Sequence, residues 1–167
     1  MRREKQQRLF PAINFSCSAA VSGWIFVAED KEGRGRNLYP EIQIWRTANT
    51  RQYSLHHTSS QQPTVTESSN VFRYPGISVQ VQPGDILGVY QPEGKKSRYT
   101  LTYQERGGPI NYRMDTKDAP TTFSIDGNGV HTDQNDYPLV GVEISKQKLI
   151  PDTKMLVMYS GCFFLCR

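Results

Sequence analysis

Apolar and polar residues alternate with a period of two through much of this chain, and clusters of Pro, Gly, Asn, Asp and Ser repeatedly break the alternation. Such a period sends successive side chains to opposite faces of an extended backbone, so each run reads as a strand and each cluster as a turn. Glu41-Ile42-Gln43-Ile44-Trp45-Arg46 is the plainest run, with Ile42 and Ile44 predicted inward and Glu41, Gln43 and Trp45 outward. On that reading Ile44→Ala costs about 2–5 kcal/mol as a core truncation, whereas Gln43→Ala barely registers. Tyr99 to Gln104 alternates as well, with Tyr99, Leu101 and Tyr103 on one face. Thr121 to Asp126 offers Phe123 and Ile125 to the core, and Tyr137 to Ile144 offers Val140, Val142 and Ile144. Trp24 to Glu29 is nearly continuous apolar, as expected of a strand buried on both faces. Gln52 to Ser59 is polar enough for a sheet edge.

The run from Val79 to Pro92 joins two strand-like stretches through Pro83-Gly84-Asp85. Pro83 presets φ at the first turn corner, Gly84 tolerates positive φ at the second, and Asp85 can accept from nearby backbone N–H groups. Further turn-rich connectors lie at 31–37, 59–70, 93–97, 105–109 and 126–136. No window has the apolar periodicity of a stable helix. About nine strands with such connectors predict an all-β fold: an antiparallel β-sandwich, jelly-roll-like, over residues 10–144. Residues 1–9 read as a disordered polar, basic leader, and 145–167 as a linker followed by a short apolar segment. That segment, Met155 to Cys166, would reach only ~18 Å as a helix, short of the ~20 residues a membrane span needs. A truncated span, a final strand and an irregular terminus all fit it, and the last two are favoured.

Composition adds limits. With 167 residues, 37% hydrophobic and 22% charged, the chain suits one domain able to bury roughly 70% of its unfolded surface. Of the formal charge of +4, the first eight residues carry +3, leaving about +1 for the rest. A nucleic-acid domain would carry its basic stripe on the fold, interleaved with stacking aromatics, so nucleic acid is not expected as a partner. Met1 to Arg8 is charged and lacks the apolar core of a signal peptide. Cys17, Cys162 and Cys166 are an odd set, so at least one thiol is unpaired or bonds outside the chain. Asn14-Phe15-Ser16 is an N-glycosylation acceptor pattern.

Candidate chemistry is sparse. His56 and His57 are neighbours on a strand and point apart, and His131 lies in a distant loop, so a shared metal is not expected. The loop from Asp126 to Asp136 invites a calcium reading, with Asp126, Asp133 and Asp136 as candidate ligands. It fails the EF-hand pattern, which requires Gly at the sixth and Glu at the twelfth position, where this loop has His131 and Tyr137. Turn chemistry alone explains an Asp/Asn/Gly cluster. No Gly-x-Ser-x-Gly elbow, phosphate-cradling loop or paired-Cys zinc spacing occurs, so a non-enzymatic role is expected. Trp45, outward by alternation, and the adjacent Arg46 form one candidate binding surface, because exposed aromatics can anchor a protein or stack on a sugar; the competing and favoured reading has the opposite sheet or a long loop cover Trp45 and make it core. Asn111 and Tyr112, ending the loop that begins at Glu105, form another.

Several phrases together resemble a β-rich ectodomain module common in early-branching animals such as sponges. They are Ile13-Asn14-Phe15-Ser16-Cys17, Gly23-Trp24-Ile25-Phe26 and Tyr39-Pro40-Glu41-Ile42-Gln43-Ile44-Trp45-Arg46. Val81 through Pro92, Gly108-Pro109-Ile110-Asn111-Tyr112 and Asp136-Tyr137-Pro138-Leu139-Val140 continue the likeness in order, over roughly residues 10 to 144. The resemblance implies an extracellular setting within a larger receptor-like or adhesion-like protein, and favours Asn14 as a glycan acceptor. It implies a cell-surface protein or a glycan as partner, with a membrane reached only through a neighbouring segment, and it carries over no catalytic residue. The expected function is recognition or adhesion; the alternative is a lectin-like carbohydrate-binding module, with calcium as its one candidate cofactor.

Overall fold

The computed structural model describes residues 5–32, 36–93, 97–134 and 136–145, together with the backbone of 155–156. These residues form sixteen strands and no helix. In chain order they are β1 (Lys5–Asn14), β2 (Ala19–Asp30), β3 (Glu41–Asn49), β4 (Gln52–Ser59), β5 (Thr64–Val65), β6 (Val71–Tyr74), β7 (Val79–Val81) and β8 (Ile86–Gln91). There follow β9 (Tyr99–Leu101), β10 (Tyr103–Glu105), β11 (Asn111–Thr116), β12 (Thr122–Ser124), β13 (Val130–Asp133), β14 (Asp136–Pro138), β15 (Val140–Ser145) and β16 (Met155–Leu156). The count exceeds the nine expected because long runs are broken into pieces that change partner. Tyr99 to Glu105, for instance, divides into β9, which pairs with β2, and β10, which pairs with β14.

The strands make an antiparallel β-sandwich. One sheet runs β12-β4-β3-β8-β1-β11-β13 and the other β16-β15-β2-β6-β5, with β7 and β9 also on β2 and a small β10-β14 ribbon beside them. The chain passes repeatedly between the two sheets, as in a jelly roll. β2 alternates rather than burying both faces: Trp24, Phe26 and Ala28 are buried, while Ile25 and Val27 are only half-buried. β4 is not an edge, since β12 pairs along its Gln52–Ser54 end. Between the sheets lies the main core, which includes Phe10, Trp24, Phe26, Ile42, Ile44, Phe72, Leu87, Leu101 and Val142.

The first sheet holds two corrections to the sequence reading. Residues 5–9, expected in a disordered leader, belong to β1, which lies mid-sheet and pairs with both β8 and β11. Its polar side chains are used: Gln7 is fully buried and Arg8 is 9% exposed. The second concerns the sheet's shape. β12 and β13 occupy opposite edges yet are joined by residues 125–129, so the sheet curls into a half-barrel. The curl carries Phe123 over Leu9, Trp45 and Ile86, making a second buried cluster inside the concave face. Trp45 meets Phe123 edge-on at 6.3 Å between ring centroids.

Gln43 and Trp45, expected outward, are therefore fully buried. A buried amide must find partners, and Gln43 Oε1 accepts from Gln7 Nε2 at 2.8 Å and from Trp45 Nε1 at 2.9 Å. Trp45 also fits only because position 88 is glycine: a Cβ on Gly88 would stand 2.4 Å from the indole Cδ1 and Nε1.

The turn between β7 and β8 agrees with its sequence. Gly84 has φ of +89°, Asp85 N–H donates to Gln82 O at 3.1 Å, and Asp85 Oδ2 accepts from Gln82 N–H at 2.9 Å. At the chain's far end, β16 pairs with β15 by its backbone, so part of the apolar segment is a strand; the rest of that segment lies outside the described residues.

Candidate functional site: a polar cleft at one end of the sandwich

The binding surfaces expected from sequence are spent on the fold. Trp45 is enclosed by the half-barrel and has no face for a ligand. Arg46 donates two hydrogen bonds of 2.8 Å to the buried carboxylate of Asp85, which locks β3 to the β7–β8 turn and raises the guanidinium's affinity for its proton. Asn111 is fully buried opposite Asp133, and Tyr112 packs its ring on the Leu9–Trp45 cluster. Polarity and position after a loop had suggested exposure, but both residues lie in β11, an inner strand of the curled sheet.

Of the acidic trio, Asp133 and Asp136 are brought together on Arg8, at 3.7 and 2.6 Å from its guanidinium nitrogens, while Asp126 lies apart. Asp126 faces Arg51, accepting at 2.7 and 2.8 Å. Asp133 lies 3.2 Å from Arg113 Nε, and Asp136 lies 2.6 Å from Arg8 Nη1. Each carboxylate is aimed at a guanidinium, and among the described residues no group of three His, Cys, Asp or Glu is placed to hold a metal ion. His56 is the extra residue of a β-bulge, exposed, with a ring nitrogen 2.9 Å from Gln80 O. His57 lies half-buried beside Ser59, and both burial and the adjacent His56 push its pKa down. His131 is exposed on β13. Asn14 is partly buried, its amide 3.3 Å from Pro11 O. Cys17 is disulfide-bonded; Cys162 and Cys166 lie outside the described residues.

What the sequence did not suggest is a cleft of about 650 Å³ where β1 and β9 begin and β2 and β8 end. Its floor is apolar, formed by Val27, Ala28 and Leu101, with Tyr103 as one wall. Arg8 and Asp136 form the adjoining wall, and the guanidinium is held from several sides. Nη1 reaches Asp136, Nε donates to Gln6 Oε1 at 3.2 Å, and Cζ stands 4.8 Å over the Tyr103 ring. Burial pushes the Tyr103 phenol up to about 12, Arg8 opposing and Asp136 reinforcing the shift, so it stays neutral and able to donate. On the far side Gln91 acts as a surrogate strand, donating to Tyr99 O at 2.9 Å and accepting from Leu101 N–H at 3.2 Å. That side chain staples β8 of one sheet to β9 of the other beside the cleft. Arg98, paired with Asp30 at 2.7 Å, also holds Asn37 nearby, donating to its Oδ1 at 3.1 Å.

Four further lining side chains, Asn70, Thr100, Thr102 and Glu105, make no hydrogen bond or ion pair among the described residues. These are the groups the cleft has free for a ligand. Asn70 and Glu105 lay in connectors read from sequence, but all four are common surface residue types, and only long-range pairing such as that of β9 with β2 and β10 with β14 assembles them. No family model, curated protein or solved structure matches the chain. No helix of the described residues is long and apolar enough to cross a membrane.

Proposed function

We propose that the chain is a non-enzymatic recognition module of a larger extracellular protein of receptor-like or adhesion-like type, and that the cleft is its ligand-binding face. The carrying observation is the set of unused hydrogen-bonding groups around an apolar floor, walled by side chains already fixed by Arg8–Asp136 and Gln91. Small-ligand sites combine an apolar lining with a few placed polar groups in this way. The ion pairs beside the cleft suit holding a ligand, since they orient one another before it arrives. Three further points support the setting: the Cys17 disulfide, a bond that persists in oxidising compartments; the acceptor pattern at Asn14; and the resemblance to an ectodomain module. The partner is a cell-surface protein or glycan. A labelled full chain should bind intact cells of the source lineage, and Thr100→Val combined with Glu105→Gln should abolish binding without lowering the melting temperature. Equal binding by parent and double variant would sink the assignment of the cleft.

A further inference from the structure

We infer that the cleft takes a neutral saccharide, a deeper statement of ligand class that rests on the cleft being the binding face. The first argument is charge. Two cations line the cleft, and both are engaged: Arg8 with Asp136 at 2.6 Å and Lys31 with Glu29 at 3.5 Å. Glu105 is the lining charge without an ion pair among the described residues. A ligand with several charges of either sign would lose its hydration and find no matching set in exchange.

The second argument is hydrogen-bonding type. Thr100 and Thr102 hydroxyls both donate and accept, the Asn70 amide offers a donor and an acceptor side by side, and the Glu105 carboxylate accepts only. Ligand hydroxyls need a donor and an acceptor at each oxygen, and adjacent hydroxyls on a ring present them a few ångströms apart. A ligand without hydroxyls would leave these groups unpaired, which is how polar sites discriminate most sharply. The third is shape. Half-buried Val27 supplies apolar surface for the C–H face of a sugar ring, and about 650 Å³ exceeds a single ring, leaving room for a short oligosaccharide.

The test is saturation-transfer NMR on the full chain with methyl glycosides of glucose, galactose, mannose and N-acetylglucosamine, alongside sialic acid and a lysine-rich peptide. At least one neutral glycoside should give saturation transfer and a Kd of about 10 mM or tighter. Thr100→Val and Glu105→Gln should each weaken it about tenfold or more, with unchanged melting temperatures, while Gln104→Ala leaves it intact. Should no neutral glycoside bind, the inference is overturned. The assignment of the cleft as the binding face then stands if cell binding is still lost in the cleft variants, and falls too if they bind cells as the parent does. Binding of sialic acid or the peptide in preference to every neutral glycoside would likewise overturn it.

Discussion

Replacing Gln43 with alanine tests the curl of the first sheet, because a flat sheet would leave that side chain in solvent. Gln43 is fully buried, and its Oε1 accepts from both Gln7 Nε2 and Trp45 Nε1. Truncation leaves the indole N–H without an acceptor, while Gln7 Nε2 retains contacts of 3.1 Å to Arg8 O and 3.3 Å to Val89 O. An orphaned buried donor costs about 1–3 kcal/mol, and the vacated volume adds a packing loss. Gln43 Nε2 itself has no partner among the described residues, so its removal offsets part of that cost. The expected net is about 2 kcal/mol, against roughly 0.5 for an exposed substitution. Urea unfolding followed by tryptophan fluorescence should show a midpoint about 1 M lower at unchanged slope. The melting temperature should fall by about 4–8 °C. Gln43→Leu fills the space but still orphans the indole, so about half the loss should persist. A Gln43→Ala protein within 0.5 kcal/mol or so of the parent would refute the enclosed concave face.

Other outcomes follow from single contacts. Gly84→Val should cost more than ~1 kcal/mol through backbone strain, since a Cβ there would touch nothing within 4 Å and φ is +89°; unchanged thermal melting would count against the turn. Gly88→Ala should destabilise by about 1–3 kcal/mol through overpacking, because the new methyl would overlap the Trp45 ring, and a neutral result in calorimetry would contradict the Trp45 placement. His57 has a folded pKa held below its ordinary 6.5 by burial and by His56. The unfolded chain then binds the proton more readily, so this contribution is present above about pH 6.5 and is lost as pH falls through the folded value. His57→Gln should flatten the acid side of the melting-temperature profile relative to the parent, and parallel profiles would argue against a buried ring.

Legibility varied with how local the determining physics is. The Pro83-Gly84-Asp85 turn was readable because its backbone angles and the Gln82–Asp85 hydrogen bonds that close it lie within four residues. Ile42, Ile44, Leu101 and Val142 were readable because one-sided burial leaves a period of two, and all four are core. Gln43 was misplaced, and Trp45 was left between a binding surface and a covered core position, because the same alternation cannot reveal that a sheet bends until its second face is also covered. Residues 5–9 were misread for a related reason. A strand enclosed on both sides can carry Gln7 and Arg8 if other strands supply Gln43 and Asp136 to meet them, and charge density alone looks like a tail. The cleft was illegible, since Asn70, Thr100 and Glu105 are near one another only through long-range pairing.

The placement of β1 also bears on biosynthesis. Its backbone partners run from Ile86 to Gln91 and from Tyr112 to Thr116, so the earliest described segment to leave a ribosome must wait until β8 and β11 have been made before it can dock. Long-range closure of this kind is slow, typically milliseconds to seconds, and translation adds several seconds more at about 5–20 residues per second. Throughout that delay Leu9 and Phe10 stay wet and unpaired, so chaperone capture of nascent chains should centre on this segment and end once β11 has emerged.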